Sequence, residues 1–521
     1  MIKRHVKLGL LQSIACFGSV LGWGILCIMA SHEPVWASTY FLSPTGKNSN
    51  TGLVQGSPWK TFQYAVPKLR PGDMLVLLDG TYNASNSGYL SLSGVHGTPG
   101  QPITLKALNE RKAHIQNDGR TVAVKGTNCS YLKLEGIQAS SRDNSAVGAY
   151  GGAMSFQDCH HLTLKRLLLH HNNRYVNSHL LTFVRVADSL VEESELYYFH
   201  RHGVMTKPGS RNVFRRLYCH SRGYGNISGG YQSGGSVCVS LYPADNSIIE
   251  NTIADSTTGA VFDLQASGPT SADNNRFLGN IALSTQYGAV LKARSEPGLT
   301  ALAMPKNNTI TNFVSVGAKR AGIYIRGARG QRCDHCMVLN TSNSHGLVVD
   351  VEPRVLGDGV YSFFSSNSLA LSNGGIGLNV TPQIQTWAIT SSNSYANSLN
   401  YYPKSTTGFV NPKSVDASLG SCRVWIPDSS PMKKAGTNRS DIGANILYRY
   451  QNGVLTNIPL WNKTTGAFPY GALVSGLNNI AGQSLFDVHK RLNINTNGCS
   501  YPASYKGSTT TLAAPANVSA T

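Results

Sequence analysis

Three basic residues stand where a repeating chain would bring them together: Lys292, Arg294 and Arg326. They belong to two similar segments, 288–294 and 322–328, which each open on glycine. In the first, Ala289, Leu291 and Ala293 fill the second, fourth and sixth positions. Such alternation marks a strand with one face buried, so the fifth position, held by Lys292 and Arg326, points outward. Stacked strands lie about 4.8 Å apart, close enough for both heads to hold one ligand. Arg294 lies two residues beyond Lys292 on the same face. A guanidinium suits bidentate binding of a carboxylate. A lysine takes up a proton at neutral pH only when cationic neighbours or burial lower its pKa from about 10.4. Arg294 and Arg326 would act in that direction, and Asp263, one repeat earlier, would oppose them. The chemistry these types suit is binding of an anion, with proton transfer to Lys292.

The same fifth position, followed through the chain, reads Phe156, Arg185, Lys207, Ser240, Asp263, Lys292, Arg326 and Asp350. Arg185, Lys207, Asp263, His202, Tyr242 and Gln265 are the side chains expected to contact a ligand lying on this face. A solvated charged face is the plainer reading of such a column. His170, His171, His200, His202 and His220 fall at comparable turn positions on successive repeats. Stacked histidines can bind a metal or act as acid and base, and they can equally be structural stacking. Arg201-His202-Gly203 leads straight into one of the strands, which singles out His202.

The elements that must position these residues follow from the repeat itself. Between about residues 129 and 402 a polar turn phrase recurs, as at Ala244-Asp245-Asn246 and Ala272-Asp273-Asn274. Its intervals fall between 23 and 34 residues, too irregular for helical repeats. They suit coils of short strands whose turns accept insertions. The expected fold is all-β, a single-stranded parallel β-helix over residues 120–402. Residues 38–119 would form an N-terminal cap and first coils, with a short amphipathic helix from Trp59 to Leu69 closing the open end. Residues 403–507 read as a C-terminal extension packing along the coils, and 508–521 as a disordered tail.

Residues 1–37 have the form of a secretory leader: Lys3, Arg4 and Lys7, an apolar run, then Val35-Trp36-Ala37. The expectation is a secreted or cell-envelope protein that leaves the membrane after leader cleavage, and a monomer. Eight cysteines follow the leader, an even number that permits disulfides in an exported chain, with pairing left open. The formal net charge of +19 favours polyanionic partners. Charged residues are only 14% of the chain and form no basic arm, which argues against nucleic acid.

Ser38-Thr39-Tyr40-Phe41-Leu42-Ser43-Pro44, Pro58-Trp59-Lys60-Thr61-Phe62, Pro71-Gly72-Asp73 and Asp79-Gly80-Thr81-Tyr82 resemble the opening of many secreted bacterial proteins of the pectate-lyase-like superfamily. That resemblance implies a right-handed coil. It also implies a substrate groove on the strand face that carries Lys292, as in the alginate lyase and chondroitinase B type. Those enzymes cleave uronate polymers by β-elimination, with a Lys or Arg as base and a cation or basic groups neutralising the carboxylate. By this analogy Lys292 is the base, Arg326 and Arg294 stabilise the carboxylate, and the partner is an acidic polysaccharide. The chain departs from the pattern before the base strand, where Gly288-Ala289-Val290-Leu291 lacks the acidic pair that holds calcium. Asp245, Asp255, Asp263 and Asp273 are scattered over coils, so the sequence assigns no cofactor and leaves Ca2+ open. Hydrolysis by paired carboxylates is disfavoured, because the column offers only Asp263 and Asp350. The rival reading is a non-catalytic envelope or matrix protein that binds glycans with the same face.

Overall fold

Alternating apolar residues and left-handed corner residues wind the chain into a right-handed parallel β-helix. The computed structural model describes residues 37–464 apart from 147–151, 222–223, 267–269, 294–303, 328, 354–360 and 405–406, with scattered positions from 466 to 502. Residues 1–36 of the expected leader and the expected tail, 508–521, lie outside the described residues.

One face of the coil is a sheet of twelve parallel strands, running from Leu90–Ser91 to Leu399–Tyr402. The other described coil strands belong to a second parallel sheet of 27 strands. Inward positions hold a continuous core, with Phe156, Phe183, Phe214, Phe262, Phe277, Phe313 and Phe363 fully buried. Phe262 and Phe277 stack at 4.0 Å between ring centroids. The expected alternation is therefore real, but Phe156 points into the core and not outward.

The corners explain the recurring polar phrase. Asn246, Asn274 and Asn307 occupy successive turns with φ of 54°, 56° and 55°, a region Asn tolerates better than most residues. Beside them, buried asparagines close the backbone from coil to coil. Asn275 Nδ2 donates to the Ala244 carbonyl at 2.7 Å, and Asn308 Nδ2 to that of Ala272 at 2.9 Å. A buried carbonyl needs such a donor, so these side chains recur at coil spacing.

The N-terminal cap is shorter as a helix than expected. Thr61 caps a four-residue α-turn, Phe62–Ala65, and Val66–Lys68 follows as a 3-10 turn. Pro67 lacks the N–H that a longer α-helix would use. The coils run slightly past 402: Phe409–Val410 still pairs with Ile389 and Thr390.

Beyond them the chain doubles back over the outward face of the second sheet. Trp425, Ile426, Met432, Ile442 and Trp461 bury Ile253, Ile281, Val314, Met337 and Leu369 there. Glu250 accepts the backbone N–H groups of Asn452 and Gly453 at 3.0 and 2.9 Å, fixing the tip of a hairpin, Tyr448–Gln451 with Val454–Pro459. Disulfides join Cys129–Cys159, Cys219–Cys238, Cys333–Cys336 and Cys422–Cys499. No described helix is long and apolar enough to cross a membrane.

The histidines are mostly packed away. His170, Tyr197 and His220 lie in one column and stack at 4.8 and 5.4 Å. Burial pushes His114 down to about 4 and His179 to about 3, and holds His170 well below the ordinary histidine value. An unfolded chain binds protons at these sites below about pH 6.5, and the folded chain does not. Stability is therefore full above that pH and falls as pH drops toward 4 and then 3. The urea midpoint should be lower at pH 5 than at pH 7.5; an equal or higher midpoint at pH 5 would contradict the neutral, buried histidines.

Candidate active site

Four neighbouring strands of the twelve-stranded sheet make a floor: His202–Thr206, Val237–Leu241, Phe262–Ala266 and Tyr287–Ala293. Their outward residues form columns, Met205–Ser240–Asp263–Val290 in one and Gln265–Lys292 in the next, which continues to Arg326 and Asp350 on the two following strands, Ala321–Arg326 and His345–Asp350. A cavity of about 470 Å³ stands over this floor. Lys207, Tyr242, Asp263, Gln265 and Lys292 line it from the sheet, and Asn177, Arg201 and Tyr231 from the flank.

The flanking wall comes from the Gly- and Ser-rich stretch before Val237. It is pinned by Tyr231 N–H to the Arg174 carbonyl at 2.9 Å and by Ser233 Oγ to the His200 carbonyl at 2.8 Å. Arg201 reaches across to it. Its Nη1 donates to Asn177 Oδ1 and to the Tyr231 hydroxyl, and its Nε donates to His202 Nε2 at 3.1 Å. Because Nε2 accepts, His202 Nδ1 carries the ring hydrogen and donates to Ser240 Oγ at 2.6 Å. Burial first, then His179, Arg201 and Lys292, hold His202 well below the ordinary histidine value. It is a neutral strut, with both nitrogens engaged and only 3% exposed.

The second network centres on Asp263, which is 5% exposed. The Tyr242 hydroxyl donates to Asp263 Oδ2 at 2.6 Å, and Lys292 Nζ lies 3.5 Å from the same oxygen. Burial and the Asp263 charge push the Tyr242 phenol well above its usual value, so it keeps its proton. The cavity therefore gathers three cationic heads, Arg201, Lys207 and Lys292, against one carboxylate, with a neutral imidazole beside them.

Six of the residues singled out from sequence line the cavity: Lys292, Lys207, Asp263, His202, Tyr242 and Gln265. Two others do not join them. Arg185 sits on a turn with φ of 52°, where it pairs with exposed Asp158 at 2.5 and 2.9 Å. Arg326 is in register with Lys292, yet its Nε is drawn 3.0 Å from the buried carboxylate of Glu352. Arg294 lies outside the described residues. The cationic neighbours of Lys292 in the cavity are thus Arg201 and Lys207, and its direct partner is Asp263.

Asp263 also stands elsewhere than expected: it pairs in register with Val290, and Gln265 with Lys292. Sequence reasoning missed Arg201, Asn177 and Tyr231. The signal for Tyr231 was the longest repeat interval, Ser210 to Ala244, which marks an insertion next to the strand face. Among the described residues no three His, Cys, Asp or Glu side chains converge as a cation site. Asp255 instead accepts from Tyr218, and Asp273 pairs with Lys306 at 3.3 Å.

No family model matches the chain, and no curated protein does. Among solved structures, a PL6-family polysaccharide lyase of Pseudopedobacter saltans aligns with 14% identity and a TM-score of 0.46, over 68% of this chain and 91% of its own. A pectate lyase aligns with 14% identity and a TM-score of 0.44, over 78% and 95%. An alginate lyase of a Paenibacillus species aligns with 14% identity and a TM-score of 0.40, over 61% and 99%. These are likenesses at the level of the fold, and the β-helix itself stands on the strand pairings described above.

Replacing Tyr242 by Phe should cost about 1–3 kcal/mol of stability, because buried Asp263 loses the hydroxyl donor on Oδ2. Urea unfolding reads this directly. An unchanged midpoint would mean that the hydroxyl contributes nothing to holding the carboxylate.

Proposed function

We propose that this is an exported protein that binds a uronate-containing polysaccharide in the cavity and cleaves it by β-elimination. The observation that carries the reading is the cavity's charge: three cations against one carboxylate, on the outer face of a long strand surface. A neutral sugar would need no such excess. A uronate supplies a carboxylate for it, and charge-assisted hydrogen bonds to Arg or Lys are the strong kind.

In this reading Arg201, held by Asn177, Tyr231 and His202, receives the substrate carboxylate together with Lys207. Charge builds on that carboxylate as the neighbouring carbon loses its proton, and fixed cations stabilise it. Lys292, as the free amine, takes the proton. The released electron pair forms a carbon–carbon double bond and expels the glycosidic oxygen, which takes a proton from water. Hydrolysis has less support, since paired carboxylates are its chemical need and Asp263 is the one carboxylate lining the cavity among the described residues.

The Lys292–Asp263 contact favours a second reading. For Lys292 to act as base this ion pair must open. If it stays closed, the lysine lends charge and no base, and the protein binds acidic glycans without cleaving them.

Turnover on a panel of uronate polymers, followed by the ultraviolet absorbance of unsaturated ends, tests the first reading. Wild-type protein should generate product, and Lys292→Ala should lower the rate by about 10²-fold or more. Equal rates in both would keep the lyase and remove Lys292 from its role. No product from either, with binding retained, would leave the glycan-binding reading, and loss of both activities would end the proposal.

A further inference from the structure

Two coils beyond Asp263, in the same outward column, the sheet changes character. Asp263 pairs with Val290, and Val290 with Tyr324, so Tyr324 stands about 10 Å along the helix axis from Asp263. Tyr324 belongs to the strand Ala321–Arg326 and meets Tyr287, the first residue of Tyr287–Ala293. Their rings stack with centroids 5.8 Å apart and planes inclined by 27°. Both are half-buried, and neither belongs to the two hydrophobic clusters that hold the coil and its C-terminal extension.

Charged side chains of both signs surround the pair: Arg320 and Arg326, with Asp350 and Glu352. Exposed Arg320 places its Nη1 3.4 Å from the Tyr287 hydroxyl and its guanidinium 6.0 Å from the ring centroid. On the other side Arg326, paired with Glu352 and followed in register by Asp350, continues the column of Lys292, so the tyrosines share the outer face on which the cavity lies. The C–H face of a pyranose ring meets the negative face of an aromatic ring favourably, and Tyr keeps its polar tip in water while offering that face.

We propose that Tyr287, Tyr324 and Arg320 form a second glycan subsite, which takes up residues of an acidic polysaccharide chain that extend beyond the cavity. The inference rests on the reading of the cavity as a uronate site. Its occupant follows from continuity: the platform lies on the same strand face as Lys292, which calls for the same acidic chain that fills the cavity, and exposed Arg320 stands beside the rings to meet one of its carboxylates. The cavity then supplies recognition of one acidic sugar, and the tyrosine platform makes the protein prefer long chains over short ones.

Calorimetric binding of oligouronates from disaccharide to octasaccharide, with neutral oligosaccharides of equal length as controls, tests this. Wild-type affinity should rise with length. Tyr324→Ala should abolish that rise, weakening the octasaccharide by about tenfold, the scale of one stacking contact, while the disaccharide is unaffected. Tyr324→Phe, which keeps the ring, should retain it, and Arg320→Ala should reduce it for the acidic series. Length-independent wild-type affinity would remove the subsite and leave the cavity reading intact. So would equal losses for short and long ligands in Tyr324→Ala, or loss of the length gain in Tyr324→Phe. An equal gain for neutral oligosaccharides would overturn the acidic occupant. Absence of binding at every length would overturn the cavity reading and the subsite together.

Discussion

The parallel backbone ladder between coils is the constraint on which everything else depends. Each strand hydrogen-bonds to the strands one coil before and after it, so residues distant in sequence must stand in columns at about 4.8 Å. Gln265, Lys292, Arg326 and Asp350 become neighbours for this reason alone. The ladder also fixes the price of error: a side chain is inside or outside, and the corners must close around it.

Corners and core solve different parts of that problem. Inside, stacked phenylalanines supply the burial that holds the coil, as Phe262 and Phe277 do. At the corners the backbone turns through left-handed φ and leaves carbonyls that water cannot reach. Asn275 and Asn308 answer them with their amide groups. Outside, the second sheet carries apolar residues over its C-terminal half, and the extension from Ala417 to Trp461 covers them. The twelve-stranded sheet carries Asp263, Lys292 and Tyr324 on its outer side, and the cavity lies there.

Within the cavity, polar groups are positioned by one another as much as by the sheet. His202 is held neutral by burial, which lets its Nε2 accept from Arg201 while Nδ1 donates to Ser240. A protonated ring could not accept. Asp263 in turn is shared between a phenol and an ammonium. Burial in a low-dielectric setting strengthens both arrangements and makes an unpaired member costly.

The sequence by itself determined the coil, because strand alternation and polar turns recur at an interval that only stacked strands accommodate. It also determined the basic outward face, since Lys292, Lys207 and their neighbours are legible as charges at exposed strand positions. It could not determine which residues face one another. Side-chain direction repeats every two residues, so sliding a strand by two leaves its apolar pattern unchanged while moving every contact. That is why Asp263 was aligned with Lys292, although it pairs with Val290. Only the closure of each coil, through corners of unequal length, selects the register. Arg201, Asn177 and Tyr231 were invisible for a related reason: they come from corners and an insertion, which carry no periodic signal. The pairing of Arg326 with Glu352 likewise joins residues whose meeting depends on how one coil folds over the next, a decision left to the tertiary structure.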